Sequence, residues 1–132
     1  MLLELQRATH ATLQLLTAEL VDLDLTPSEL NALANLDLGE AGGCTVSALG
    51  AAVGTRPTTL TGILDRLERR GLITRAARPG DRRSVLIALT PDGARTAAQI
   101  TAAMRDLESR ALAGLSPTAI TNALTVLRAL TP

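Results

Sequence analysis

The chain has 132 residues, 46% of them hydrophobic, and thirteen basic residues balance thirteen acids. That length suits one domain with a modest core, the apolar share excludes a disordered chain, and no run of about 18 uncharged apolar residues offers a membrane span. The neutral total hides an asymmetry: residues 1–53 carry one arginine against seven acids, whereas residues 54–84 carry eight arginines against Asp65, Glu68 and Asp81.

In chain order, residues 2–21 follow a helical pattern with leucines at 2, 3, 5, 13, 15, 16 and 20, more apolar surface than one packing face needs. Thr26-Pro27-Ser28-Glu29 reads as a capped helix start, with Thr26 as cap and Glu29 closing a capping box, and that helix should reach about Asp37. Gly39, Gly42 and Gly43 mark a loop. Thr45 caps a short helix over 46–53, and Gly54 ends it. Thr55-Arg56-Pro57 opens the next helix, which runs to Arg70 and stops at Gly71. Two helices joined by so tight a turn form a helix-turn-helix. Leu72–Arg75 and Ser84–Leu89 read as strands around a turn over 77–82. Thr90-Pro91 and Ser116-Pro117 start two further helices, to about Leu112 and Leu130. The expected fold is mainly helical α+β, a single winged helix-turn-helix domain over 1–132.

The helix over 56–70 buries a stripe of Leu60, Ile63, Leu64 and Leu67. Its opposite face carries Thr58, Gly62, Asp65 and Arg69, flanked by Thr61 and Arg66. Small hydrogen-bonding side chains can approach base edges in a major groove, while arginines such as Arg56, Arg66 and Arg69 reach phosphates or guanine. Gly62 in a helix interior suggests a close approach. The hairpin that follows bears Arg78, Arg82 and Arg83, suited to the narrow, negative minor groove. Asp81 among them reads as structural, accepting hydrogen bonds or pairing with an arginine to fix the wing. The plainer alternative is an amphipathic helix and a solvated basic hairpin, but helix, charge block and wing agree.

The stretch Leu60-Thr61-Gly62-Ile63-Leu64-Asp65-Arg66-Leu67-Glu68-Arg69-Arg70-Gly71-Leu72-Ile73, then Asp81-Arg82-Arg83-Ser84 and Leu89-Thr90-Pro91-Asp92-Gly93, resembles the core of MarR-type transcription regulators. Weaker similarity covers 26–53, and the terminal helices match in placement only. The resemblance implies a homodimer whose first and last helices (1–22 and 91–132) interlock around a DNA-binding lobe at 26–90. It implies a repressor of pseudo-palindromic operators in double-stranded DNA, with half-sites one turn apart. It also implies release by a small, often phenolic or anionic effector held between lobe and dimerisation helices. By position, Thr58, Thr61, Gly62 and Arg66 would face the major groove and Arg83, with Arg82, the minor groove. Family members often carry arginine where this chain has Gly62.

Cys44 is the only cysteine and His10 the only histidine, so no internal disulfide can form and a four-ligand zinc site is short of donors. Cys44, ahead of a helix start, reads either as a thiol of lowered pKa or, preferably, as a small buried residue beside the wing. His10 reads as an interface or surface residue, with effector contact as the alternative ligand role. The chain contains no Phe, Tyr or Trp, which argues against stacked single strands and against an aromatic clasp for a flat ligand. No nucleophile–base grouping, phosphate loop or metal motif is visible, so neither catalysis nor a cofactor is expected. The start of the chain lacks the features of a secretory signal, which makes the cytoplasm the expected location. Two rival readings remain open: a winged helix used for protein contact without an operator, and a ligand carrier using the helical crevice.

Overall fold

The computed structural model describes residues 1–39 and 42–131. It contains α1 (Leu2–Glu19), a 3-10 turn (Val21–Leu23), α2 (Pro27–Leu38), β1 (Cys44–Thr45), α3 (Val46–Val53), α4 (Pro57–Arg69), β2 (Ile73–Arg78), β3 (Asp81–Leu89), α5 (Pro91–Leu112) and α6 (Pro117–Ala129). The fold is mainly helical with one antiparallel sheet, ordered β1-β3-β2.

Local chemistry starts most of the helices. Thr26 accepts the amide of Glu29 while the Glu29 carboxylate accepts the amide of Thr26, both at 3.3 Å, which completes the capping box. Thr45, Thr90 and Ser116 accept the amides of Ala48, Gly93 and Ala119. Each such cap is worth about 1 kcal/mol. At α4 the cap position is Arg56, which gives no side-chain bond; Pro57 at the first helical position removes one orphan amide instead. The helix closes on Arg70 and a left-handed Gly71, with amides of Gly71 and Leu72 bonded back to Glu68 and Leu67.

Three boundaries differ from the sequence expectation. The first helix ends at Glu19, because the chain tightens into the 3-10 turn and leaves it through a left-handed Asp24. The wing strands are longer than 72–75 and 84–89, so Arg78, Asp81, Arg82 and Arg83 lie on strands and the turn shrinks to Pro79-Gly80. The two-residue β1 escaped notice altogether; Cys44 pairs with Ile87 and Thr45 with Leu86. Glu40 and Ala41, within the stretch where Gly39, Gly42 and Gly43 mark the expected loop, lie outside the described residues.

One hydrophobic cluster holds these elements. Helix α2 lies at its centre and contributes Leu30, Ala32, Leu33, Ala34 and Leu36; α4 adds the expected stripe of Leu60, Ile63, Leu64 and Leu67; the sheet adds Ile73 and Ile87, and α5 adds Ala97 and Ile100. Fully burying one such side chain contributes about 1.5–3 kcal/mol. Helix α6 contains no buried residue, and Leu2, Leu3 and Leu15 of α1 are exposed.

The end of α4, the base of the wing and the start of α5 meet at one point. Thr90 donates its amide to Leu72 and its hydroxyl to the Gly71 carbonyl, at 3.1 and 2.6 Å. At Gly93 a Cβ would stand 1.8 Å from the Leu72 carbonyl oxygen, a distance only backbone movement can relieve. Gly93→Ala should therefore cost about 3 kcal/mol of stability, at the upper end of overpacking effects. Urea unfolding followed by circular dichroism checks this; a midpoint within error of the parent would show that the junction yields freely.

Candidate nucleic-acid interface

Helix α4 presents Thr58, Thr61, Arg66 and Arg69 to solvent, with Gly62 and Asp65 half-buried beside them. Thr61 donates its hydroxyl to the Pro57 carbonyl at 3.0 Å, which leaves its oxygen free to accept. Asp65 is not a free acid on this face. Its carboxylate takes Nη2 of Arg75 at 2.7 Å, and Glu68 takes Nε of the same guanidinium at 3.1 Å. Arg75 on β2 thus anchors the hairpin to α4 through both acids of that helix. The hydrogen bond from Arg75 holds the Glu68 carboxyl below its ordinary range, and the two carboxylates push Arg75 further up. Glu68 therefore stays ionised near neutral pH, and both carboxylates are engaged by Arg75.

Two more arginines of the basic segment are committed to the protein. Arg66 donates Nε to Oε1 of buried Glu29 at 2.7 Å. Arg70 donates to the carbonyls of Asp24 and Leu23 at 2.6 and 2.8 Å, which closes the 3-10 turn against the end of α4. Sequence reasoning missed all three arrangements. Glu29 was legible as a cap but not as the partner of a residue 37 positions away. Gly62 shows no close approach of another segment; a Cβ there would meet only Nη1 of Arg66, at 3.5 Å.

On the wing, the Asp81 carboxylate accepts the amide of Arg83 at 3.0 Å, the local bond expected of it, with no arginine side chain paired to it among the described residues. Arg78, Arg82 and Arg83 are exposed. Together with Arg56 at the start of α4, they form no ion pair with any described residue. These four guanidiniums and Arg69, whose Nε reaches only the Asp65 carbonyl at 3.3 Å, make up the available positive charge of α4 and the wing.

Behind this face, α1, α2 and α5 enclose a cleft of about 280 Å³, lined by Thr9, Thr12, Leu16, Asn31, Ile100 and Met104 among others. No charged or aromatic side chain belongs to its lining. His10 is not part of that lining; its ring lies on the α1 surface, 3.0 Å from the Gln14 amide. Cys44 is half-buried in β1, and burial pushes its thiol up, the opposite of an activated cysteine.

Helix α3, a tight turn, helix α4 and an arginine-bearing hairpin define a winged helix-turn-helix protein. The family model for the MarR family matches residues 25–85. The organic hydroperoxide resistance transcriptional regulator of Bacillus subtilis is 48% identical over 62 residues, which is 47% of this chain and 42% of that protein. The chain spans about half the length of the curated relatives it matches. Among solved structures, CouR from Rhodococcus jostii RHA1 bound to p-coumaroyl-CoA is 28% identical with a TM-score of 0.86, covering 96% of this chain and 88% of that one. A structure from Pseudomonas aeruginosa is 32% identical with a TM-score of 0.73, covering 98% and 96%. Residues 25–85 thus carry a MarR-family domain.

Two outcomes follow from this geometry. Gly62→Ala adds a methyl at ordinary contact distance, so it should stabilise the fold by up to about 1 kcal/mol through helix propensity; a lowered thermal midpoint would contradict the open space above that residue. Cys44 should react with iodoacetamide at pH 7.5 more slowly than free glutathione does, and labelling at the glutathione rate would contradict its burial.

Proposed function

We propose that this protein is a transcription regulator that binds double-stranded DNA sequence-specifically as a homodimer, and that it represses from pseudo-palindromic operators. The observation that carries this reading is the partition of the arginines. Those that brace the fold are paired, while Arg56, Arg69, Arg78, Arg82 and Arg83 remain available on α4 and the wing. A surface of unpaired guanidiniums beside small polar residues suits phosphates and base edges. Thr58, Thr61, Gly62 and Arg66 would face a major groove, and Arg82 and Arg83 would flank or enter the minor groove.

The division of labour expected from the sequence remains part of this proposal: residues 26–90 act as the DNA-binding lobe, and 1–22 with 91–132 as the dimerisation region. The exposed leucines of α1 and the exposed Leu124, Val126, Leu127 and Leu130 at the chain's end support a second copy as their cover. Two recognition helices would then meet successive major grooves.

The cleft between α1, α2 and α5 is the proposed effector site. CouR was solved with p-coumaroyl-CoA, so a relative of this fold takes a small-molecule ligand. Here the lining supplies hydroxyls and an amide but no cation, which favours an uncharged, largely apolar effector over a carboxylate.

The test uses a duplex selected by this protein from a randomised pool, with a scrambled duplex as control, at two salt concentrations. Arg83→Ala should weaken binding to the selected duplex by about 1–3 kcal/mol while the species observed by light scattering stays the same. Unchanged affinity at matched salt would remove the wing from the interface, and failure to enrich any sequence would refute the operator.

A further inference from the structure

Arg66 differs from the other arginines on α4 in being held from behind. Its Nε is bonded to Oε1 of Glu29. The Glu29 side chain is 5% exposed, whereas that of Arg66 is 48% exposed. Glu29 is itself fixed, because its second oxygen accepts the Thr26 amide in the capping box of α2. The guanidinium lies across Gly62, with Nη1 3.5 Å from where a Cβ at that position would stand. A long side chain at 62 would occupy that space; glycine leaves it to Arg66.

Resting on the DNA-binding reading above, we propose that Glu29 is a positioning residue that presents Arg66 for end-on recognition of one guanine per half-site, in the space that Gly62 leaves open. An arginine reads guanine through two parallel N–H bonds to O6 and N7. With Nε committed to Glu29, the two terminal nitrogens remain as that fork. Holding the side chain before DNA arrives moves the loss of rotamer freedom from binding into folding. The carboxylate behind Arg66 also offsets its charge, so the pair contributes direction more than general attraction to phosphates.

This separates a positioning role from a merely structural one. Removing the negative charge should lower discrimination between sequences while leaving the affinity for random DNA unchanged or higher. The experiment replaces each guanine of the selected duplex in turn by 7-deazaguanine, which lacks the N7 acceptor. It compares the parent with Glu29→Gln and with Arg66→Lys, which keeps the charge but not the fork.

For the parent, one guanine per half-site should cost about tenfold in affinity when replaced. For both variants the same replacement should cost less than about threefold, and Glu29→Gln should bind scrambled duplex at least as well as the parent does. Glu29→Gln should also have no further effect on discrimination in an Arg66→Lys background. The half-exposed Arg66→Lys keeps the test informative should Glu29→Gln unfold.

Retention of the full penalty by Arg66→Lys would overturn Arg66 as the reader. Retention of it by Glu29→Gln, or an equal loss on selected and scrambled duplexes, would overturn Glu29 as its positioner. A parent protein without sequence preference would instead overturn the DNA-binding reading on which both depend.

Discussion

The carbonyl oxygen of Leu72 lies against the start of α5 with no space for a side chain between them. Around it, Thr90 binds the carbonyls of Gly71 and Leu72 and caps α5 with the same hydroxyl. This junction connects the helix that carries the exposed polar face, both strands of the wing and the longest helix of the chain. Its geometry is set by backbone groups and by Gly93, so it has little freedom to bend. A displacement of α5 would therefore be felt at the end of α4 and at the wing base together, since close-packed interiors transmit strain.

A second set of contacts works through charge. Arg70 holds the 3-10 turn, Arg75 gathers Asp65 and Glu68, and Arg66 reaches Glu29. Each joins α4 to a different neighbour: the α1–α2 connection, the wing and α2. The partly exposed pairs of Arg75 contribute little stability by themselves. Their effect is on orientation, and they also remove negative charge from the face that the remaining arginines share. The formal charge balance along the sequence does not reveal which charges cancel, because cancellation depends on partners brought together by folding.

That distinction explains what could be read in advance. Caps at Thr26, Thr45, Thr90 and Ser116 lie within three residues of their partners, so the linear pattern contains them. The stripe of Leu60, Ile63, Leu64 and Leu67 is likewise a matter of spacing. Strand β1 was invisible because two residues show no alternation and their partners, Leu86 and Ile87, lie more than forty positions on. Helical geometry puts Asp65 on the face opposite the buried stripe, but only the hairpin, folded back, brings Arg75 against it. Glu29 carries two roles, and the local one concealed the distant one. The candidate site was thus legible as a set of exposed residue types, and its internal wiring was not.

Helix α6 buries none of its own residues, and thirteen residues are about the length at which an isolated helix is marginal in water. Among the described residues the rest of the chain covers little of it, and the second copy proposed above would supply that cover. With a second copy as that cover, folding and assembly become one equilibrium governed by mass action. The stability of the terminal region then scales with how much of the protein is present, so the abundance of the protein sets the fraction of copies that are fully built. A protein of this design would respond to its own gene dosage.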